Sequence, residues 1–141
     1  MHRTEPGVIH TTGLTGAVTT ATLCAASAGA CNVAGLYRVD FGFSGGGTAC
    51  SSVTAGSVKF NLTWTDSGGN AHSAVNIGVW DQKTLASGTS FNFNTALTTE
   101  GAAGTFAFYT NGTVIQYSTS YTACTTGTGT YQLDATVTRL N

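Results

Sequence analysis

The chain has 141 residues, long enough for one domain with a real core, and its five Lys and Arg against six Asp and Glu leave a formal net charge of −1. Charged residues make up only 8% of it, against about a quarter in an ordinary soluble domain, and they form no basic run. That argues against nucleic-acid binding by phosphate neutralisation and against attraction to an anionic membrane, and no run of about twenty apolar residues is present to cross one.

The missing charge is replaced by Thr, Ser, Gly and Asn, so mean hydropathy stays at only +0.10. Thr suits a pleated surface, and nineteen Gly with one Pro suit many tight turns. Lys and Glu are the residues most depleted from protein interfaces, and a net charge near zero favours association. The composition therefore fits a surface that faces other protein surfaces or an extracellular medium.

In chain order, residues 1–35 are rich in Thr, Ala and Gly and hold no aromatic residue. They read as an extended N-terminal arm or edge segment, with a short strand near Val18–Leu23. From Leu36 to Asn141 the pattern is that of a β-sandwich domain. LYRVDFGF sets Tyr37, Val39, Phe41 and Phe43 on one face and Arg38 and Asp40 on the other, and Gly45–Gly47 ends it. SVKFNLTW sets Val58, Phe60, Leu62 and Trp64 inward. The turn TDSGGNA joins it to HSAVNIGVW as a hairpin, with Ser73, Val75, Ile77 and Val79 on one face.

Residues 81–88 read as a loop, TSFNF as a short strand with Phe91 and Phe93 inward, and TALTTEGAAG as a connection. TFAFYT follows with Phe106 and Phe108 in phase. Asn111-Gly112 is the strongest hairpin signal, since both residues tolerate the positive φ of a type I′ turn. VIQYSTSY then sets Ile115, Tyr117, Thr119 and Tyr121 on one face. After the loop TACTTGTG, YQLDATVTRL alternates Tyr131, Leu133, Ala135 and Val137 against Gln132, Asp134, Thr136 and Thr138. The expected fold is all-β: an antiparallel β-sandwich of seven to eight strands, jelly-roll or Ig-like.

Four cysteines, Cys24, Cys31, Cys50 and Cys124, make an even set with three possible pairings. Cys24–Cys31 as a local loop and Cys50–Cys124 as a long-range staple is the favoured one. No C-x₂-C pair exists to hold zinc. The opening MHRTEPGVIH lacks the apolar segment of a secretory signal. A protein made in the cytoplasm and released by lysis into an oxidising medium would reconcile disulfides with that opening.

Residues that carry chemistry are few. His2 and His10 lie in the arm, and His72 opens a strand beyond a glycine turn from Asp66 and Ser67. A solvated hairpin histidine is the simpler reading than a hydrolytic triad, and no G-x-S-x-G elbow occurs. Asp40 and Asp134 fall mid-strand on outward faces, where charge pairing with Arg38 and Arg139 explains them better than a glycosidase pair. D-S-G-G-N at 66–70 lacks the remaining carboxylates of a calcium loop. Asn61-Leu62-Thr63 and Asn111-Gly112-Thr113 match the glycosylation sequon, a match that arises by chance in a chain rich in Thr and Asn. No enzyme activity, metal or cofactor is expected. Trp64 continues an inward phase, so core is its default; Trp80 falls outside the Val75–Val79 phase and is the better candidate for a surface aromatic that stacks on sugar.

AGLYRVDFGFSGGG, GSVKFNLTWTDSGGNAHSAV, GTFAFYTNGTVIQYSTSY and GTGTYQLDATVTRLN together resemble small, mostly uncharacterised all-β proteins of bacteriophage and bacterial genomes. The shared features are the Tyr-Arg-Val opening strand, the Trp-Thr-Asp turn and the closing strand ending Arg-Leu, over roughly residues 20–141. The resemblance implies a virion or extracellular structural role, such as capsid decoration or a head or tail accessory subunit. It supplies no site residues.

The expectation is a non-enzymatic bacteriophage structural protein whose partners are copies of itself and other virion or fibre proteins. An extracellular fibre or fibril subunit and a glycan-binding adhesin module, reading cell-surface glycans through Trp80, are the alternatives. The arm is expected to reach a neighbour, so that deleting residues 1–20 weakens assembly and leaves the sandwich folded. Arg139, Leu140 and Asn141, at the end of a strand that runs almost to the last residue, are expected at a subunit seam.

Overall fold

A computed structural model describes residues 7–26, 31–45, 57–81, 101–122 and 130–141. Within them lie eight strands: β1 (Gly7–Leu14), β2 (Ala21–Cys24), β3 (Gly35–Gly45), β4 (Ser57–Thr65), β5 (Ala71–Asp81), β6 (Gly101–Thr110), β7 (Ile115–Thr122) and β8 (Tyr131–Arg139). They form two antiparallel four-stranded sheets, in the orders β1-β8-β3-β6 and β2-β7-β4-β5. First pairs with last, second with seventh, third with sixth and fourth with fifth. This is the pattern of one long hairpin rolled into a sandwich, and it settles the topology as a jelly roll rather than an Ig-like sandwich.

The roll explains the strength of the sequence signal strand by strand. β3, β4, β7 and β8 are the interior strands, and each sets apolar residues inward at every second position. Their inward residues, Tyr37, Val39, Phe41, Phe43, Val58, Phe60, Leu62, Ile115, Tyr117, Tyr131, Leu133, Ala135 and Val137, make the core. Phe60 is its centre: its ring stacks on Phe41 at 4.3 Å and 9°, and on Tyr117 at 5.9 Å and 11°.

One polar network crosses this core. The Tyr131 hydroxyl donates to the Gly16 carbonyl at 2.7 Å, and the Val18 N–H donates to Thr119 Oγ1 at 2.7 Å. The Thr119 hydroxyl proton is then left for Tyr131 Oη, 2.9 Å away. The Thr119 N–H donates in turn to the Val18 carbonyl at 3.0 Å. The β1–β2 link is thereby fastened to both sheets.

Four expectations are narrowed or corrected by the structure. Of the two forms expected for the first 35 residues, arm or edge segment, residues 7–24 take the second: β1 and β2 are the edge strands of the two sheets, paired with β8 and β7. Deleting residues 1–20 would remove a strand of sheet one and the network's partners. Asn111-Gly112 does not turn a hairpin: β6 and β7 lie in different sheets. The Asn111 side chain accepts the Thr113 N–H and hydroxyl, while its own N–H donates to Thr65 of β4, which swings the chain across the sandwich. Gly112, at φ 92°, passes so close to Asn32 that a Cβ would sit 2.8 Å from its carbonyl oxygen.

The third correction is that GAAG before Thr105 is strand rather than connection. Its pairing with Phe41–Ser44 of β3 is unbroken, but glycine and alanine carry no visible periodicity. Gly104 is required there, since the Phe41 ring lies where its Cβ would be, at 2.5 Å. Fourth, the face shared by Ser73 and Val75 is the outer one: His72 and Ala74 pair with the inward Trp64 and Leu62, and Val75 is 64% exposed. A bulge opposite Asn61 displaces the pairing by two residues and leaves this parity unchanged. The expected strand TSFNF lies outside the described residues.

Candidate functional site

Two surfaces are built by this fold. The first is the outer face of the sheet β1-β8-β3-β6. Its charges are few and mutually engaged. Arg38 Nε donates to Asp40 at 3.0 Å along β3, and Thr105 of β6 donates to the other Asp40 oxygen at 2.9 Å. Asp134 of β8 pairs with His10 directly across on β1. Asp40 and Asp134 therefore each hold a donor rather than facing each other across a cleft; the charge pairing expected of Asp134 is made with a histidine of the supposed arm.

At one end of this face the chain terminus continues the sheet. The Leu140 N–H donates to the Leu36 carbonyl at 2.8 Å, and the Leu36 N–H donates to Asn141 Oδ1 at 2.7 Å. Gly35 is close-packed here, with a Cβ position only 2.8 Å from the same Asn141 oxygen. Arg139 lies half-buried beneath, with Nε buried and making no hydrogen bond. Leu36 pairs with Tyr109 on β6 and bonds to Leu140 on the other side. Tyr109, Leu36 and Leu140 thus form an exposed apolar row across three strands. The row joins one of the expected terminal residues, Leu140, to Leu36 and Tyr109 of the neighbouring strands.

The second surface is a groove of about 460 Å³ at the tip of the β4–β5 hairpin, lined by Thr20, Thr63, Thr65, Ser73, Thr113 and Gln116 around Trp64 and His72. The hairpin turn is organised by Asp66. Its Oδ1 accepts the N–H groups of Gly68 and Asn70 at 2.8 and 2.9 Å, and Oδ2 accepts His72 Nε2–H at 2.6 Å. These bonds, the one from His72 foremost, lower the Asp66 pKa to about 2. An oxygen set so filled with donors binds the turn and not a cation, and it fixes the His72 tautomer with the proton on Nε2.

The imidazole lies on Trp64 at 5.3 Å and 18°, and Phe108 of the opposite sheet packs 4.7 Å from the indole. Trp64 is thus held at the core margin, as its inward phase predicts. The backbone of Trp80 pairs with Val58, and its side chain lies outside the described residues.

Cys24 and Cys31 form a disulfide; Cys50 and Cys124 lie outside the described residues. The amide of Asn61 is buried and donates to Ser118 and Ser120, which withdraws that sequon from the surface. Among the described residues no group of three or more His, Cys, Asp or Glu could hold a metal, and no helix is long and apolar enough to cross a membrane.

No family model and no curated protein matches this chain. Among solved structures, one similar chain is the N-terminal endo-1,4-beta-D-xylanase 10B of Clostridium thermocellum, its CBM22-1 and GH10 modules complexed with xylohexaose. The likeness has a TM-score of 0.39 and 14% identity, over 77% of this chain and 17% of that one.

Proposed function

We propose that this chain is a non-enzymatic structural subunit of a bacteriophage virion, a capsid decoration or a head or tail accessory protein, that associates with copies of itself. The observation that carries the reading is the apolar row Tyr109–Leu36–Leu140, laid on a sheet face whose few charges are already paired. Solvent-exposed faces of monomers are usually studded with free Lys and Glu; a face of Thr, Ala and paired charge around an apolar row loses little on being covered. A disulfide and a charge-poor, hydroxyl-rich surface suit the extracellular life of a particle. An open fibre built from the same contacts is the same reading with a non-closing symmetry. Purified chain should elute as an oligomer or assemble into particles or filaments, and Leu36→Asp with Leu140→Asp should shift it towards monomer with its circular dichroism unchanged. Native protein that stays monomeric at high micromolar concentration would overturn the reading.

The groove favours a second reading, a glycan-binding module. Hydroxyls and an amide flank an exposed imidazole whose ring is fixed in place by Trp64 and Asp66, which is apt chemistry for a neutral saccharide. Binding on a glycan array that His72→Ala abolishes would establish it; an array left blank by native protein would remove it.

A further inference from the structure

Among the described residues the two sheets have four edge strands, and three of them are blunted. β1 carries His10 and breaks register between Thr11 and Leu14, where Gly13 adopts φ 66°. β2 is only four residues long and slips between Thr22 and Cys24. β5 bulges opposite Asn61 and carries His72 and Asp81. Bulges, shortness and charge are the usual devices by which an edge avoids pairing with another chain. β6 has none of them. Its ten residues, GAAGTFAFYT, hold no charge and no proline, and they pair with β3 in ten consecutive registered positions without a shift. Among the described residues no strand pairs with its other side.

We propose that the free edge of β6 pairs antiparallel with β6 of a second copy about a twofold axis at Thr105, making one continuous eight-stranded sheet across two subunits. The inference rests on the self-association proposed above and adds an edge contact to the one made through the apolar row. An antiparallel pair about a twofold sets residues of equal parity opposite each other, so each copy's inner and outer faces continue into those of the next. Centred on Thr105, the register puts Gly104 opposite Phe106 and Ala102 opposite Phe108, a small residue against each large one. Centring on Phe106 would oppose Phe106 to itself on the inner face. Thr105 meets its own copy on the axis, and Ala103 meets Ala107 on the outer face. An uncharged strand is what self-pairing requires, since any charge near the axis would approach its own copy.

The register is testable because Ala103 and Ala107 are both exposed. Native chain, Ala103→Lys with Ala107→Lys, and Ala103→Lys with Ala107→Glu are compared by light scattering across a dilution series, with circular dichroism to confirm folding. The double-lysine variant sets like charges opposite each other twice and should raise the dissociation constant at least tenfold. The lysine–glutamate variant sets opposite charges across both positions and should recover native association. A native oligomer that the double-lysine change leaves intact would overturn the β6 seam while self-association stands. A lysine–glutamate variant no better than double lysine would overturn the register at Thr105. Native protein that is monomeric throughout would overturn both self-association and the seam, and leave the edge to a strand of another protein.

Discussion

Replacing Tyr131 by Phe removes one oxygen atom and keeps the ring in the core. Tyr131 is fully buried, and its hydroxyl is the joint between the Gly16 carbonyl and Thr119. Without it, the buried Thr119 hydroxyl loses its acceptor and the part-buried Gly16 carbonyl loses its donor. Stranding a buried hydrogen-bonding group costs about 1–3 kcal/mol. Taking about 2 kcal/mol, and an unfolding entropy of about 2.1 cal/mol/K for each residue of this chain, the midpoint should fall by about 7 °C. Differential scanning calorimetry measures the fall, and hydrogen exchange should show the Val18 and Thr119 amides opening sooner than those of β3 and β4. A phenylalanine that merely filled the same volume would leave the midpoint unchanged. A shift of less than about 1 °C, or an increase, would refute the idea that this network fastens the β1–β2 link.

Other outcomes follow from local geometry. Cys24→Ala with Cys31→Ala opens a loop of sequence separation 7, and should cost about 2.5 kcal/mol in urea unfolding by the loop-closure relation. Gly104→Ala drives a methyl into the Phe41 ring, which is itself stacked on Phe60, and should destabilise by about 1–3 kcal/mol in the same assay. The Asp66 carboxyl is lowered to about 2 in the folded chain, so the stability its bonds confer is present above pH about 4 and is lost as pH falls through about 2. His72→Ala removes the chief cause and should move that carboxyl up towards its ordinary value in a ¹³C-detected titration. Burial raises Tyr37, Tyr117, Tyr121 and Tyr131 above the ordinary phenol value. Their contribution is complete below pH about 10 and is lost above it, so ultraviolet titration should show them ionising late and together with alkaline unfolding.

The interior strands were legible because each presents large apolar residues at every second position to a core on one side only. Tyr37 to Phe43 and Tyr131 to Val137 could hardly be placed otherwise. The strands that escaped reading are edges. β1, GVIHTTGL, shows no regular alternation of apolar and polar residues and contributes little to the core, and the start of β6 is written in Gly and Ala, whose side chains leave no trace of period. The Asn-Gly signal was read locally, whereas its direction was decided by the bond from Asn111 to Thr65 in the other sheet. The apolar row was half legible. Leu140 was placed at the end of its strand, but its neighbours Leu36 and Tyr109 lie 104 and 31 positions away along the chain, and only the β6–β3–β8 order brings the three together. The groove is not legible in the sequence. Trp64 follows the core phase, and that phase ends where His72 and the hairpin turn open the sandwich.

A fold that serves capsids and lectins alike does not choose between them; the surface does. The most direct measurement is therefore the state of the purified, oxidised chain in solution, by light scattering with electron microscopy of the same sample. A closed oligomer, particle or filament that dissociates when Leu36 and Leu140 are replaced by Asp is the predicted result. A monodisperse monomer at every concentration, unaffected by those substitutions, would contradict the structural-subunit account.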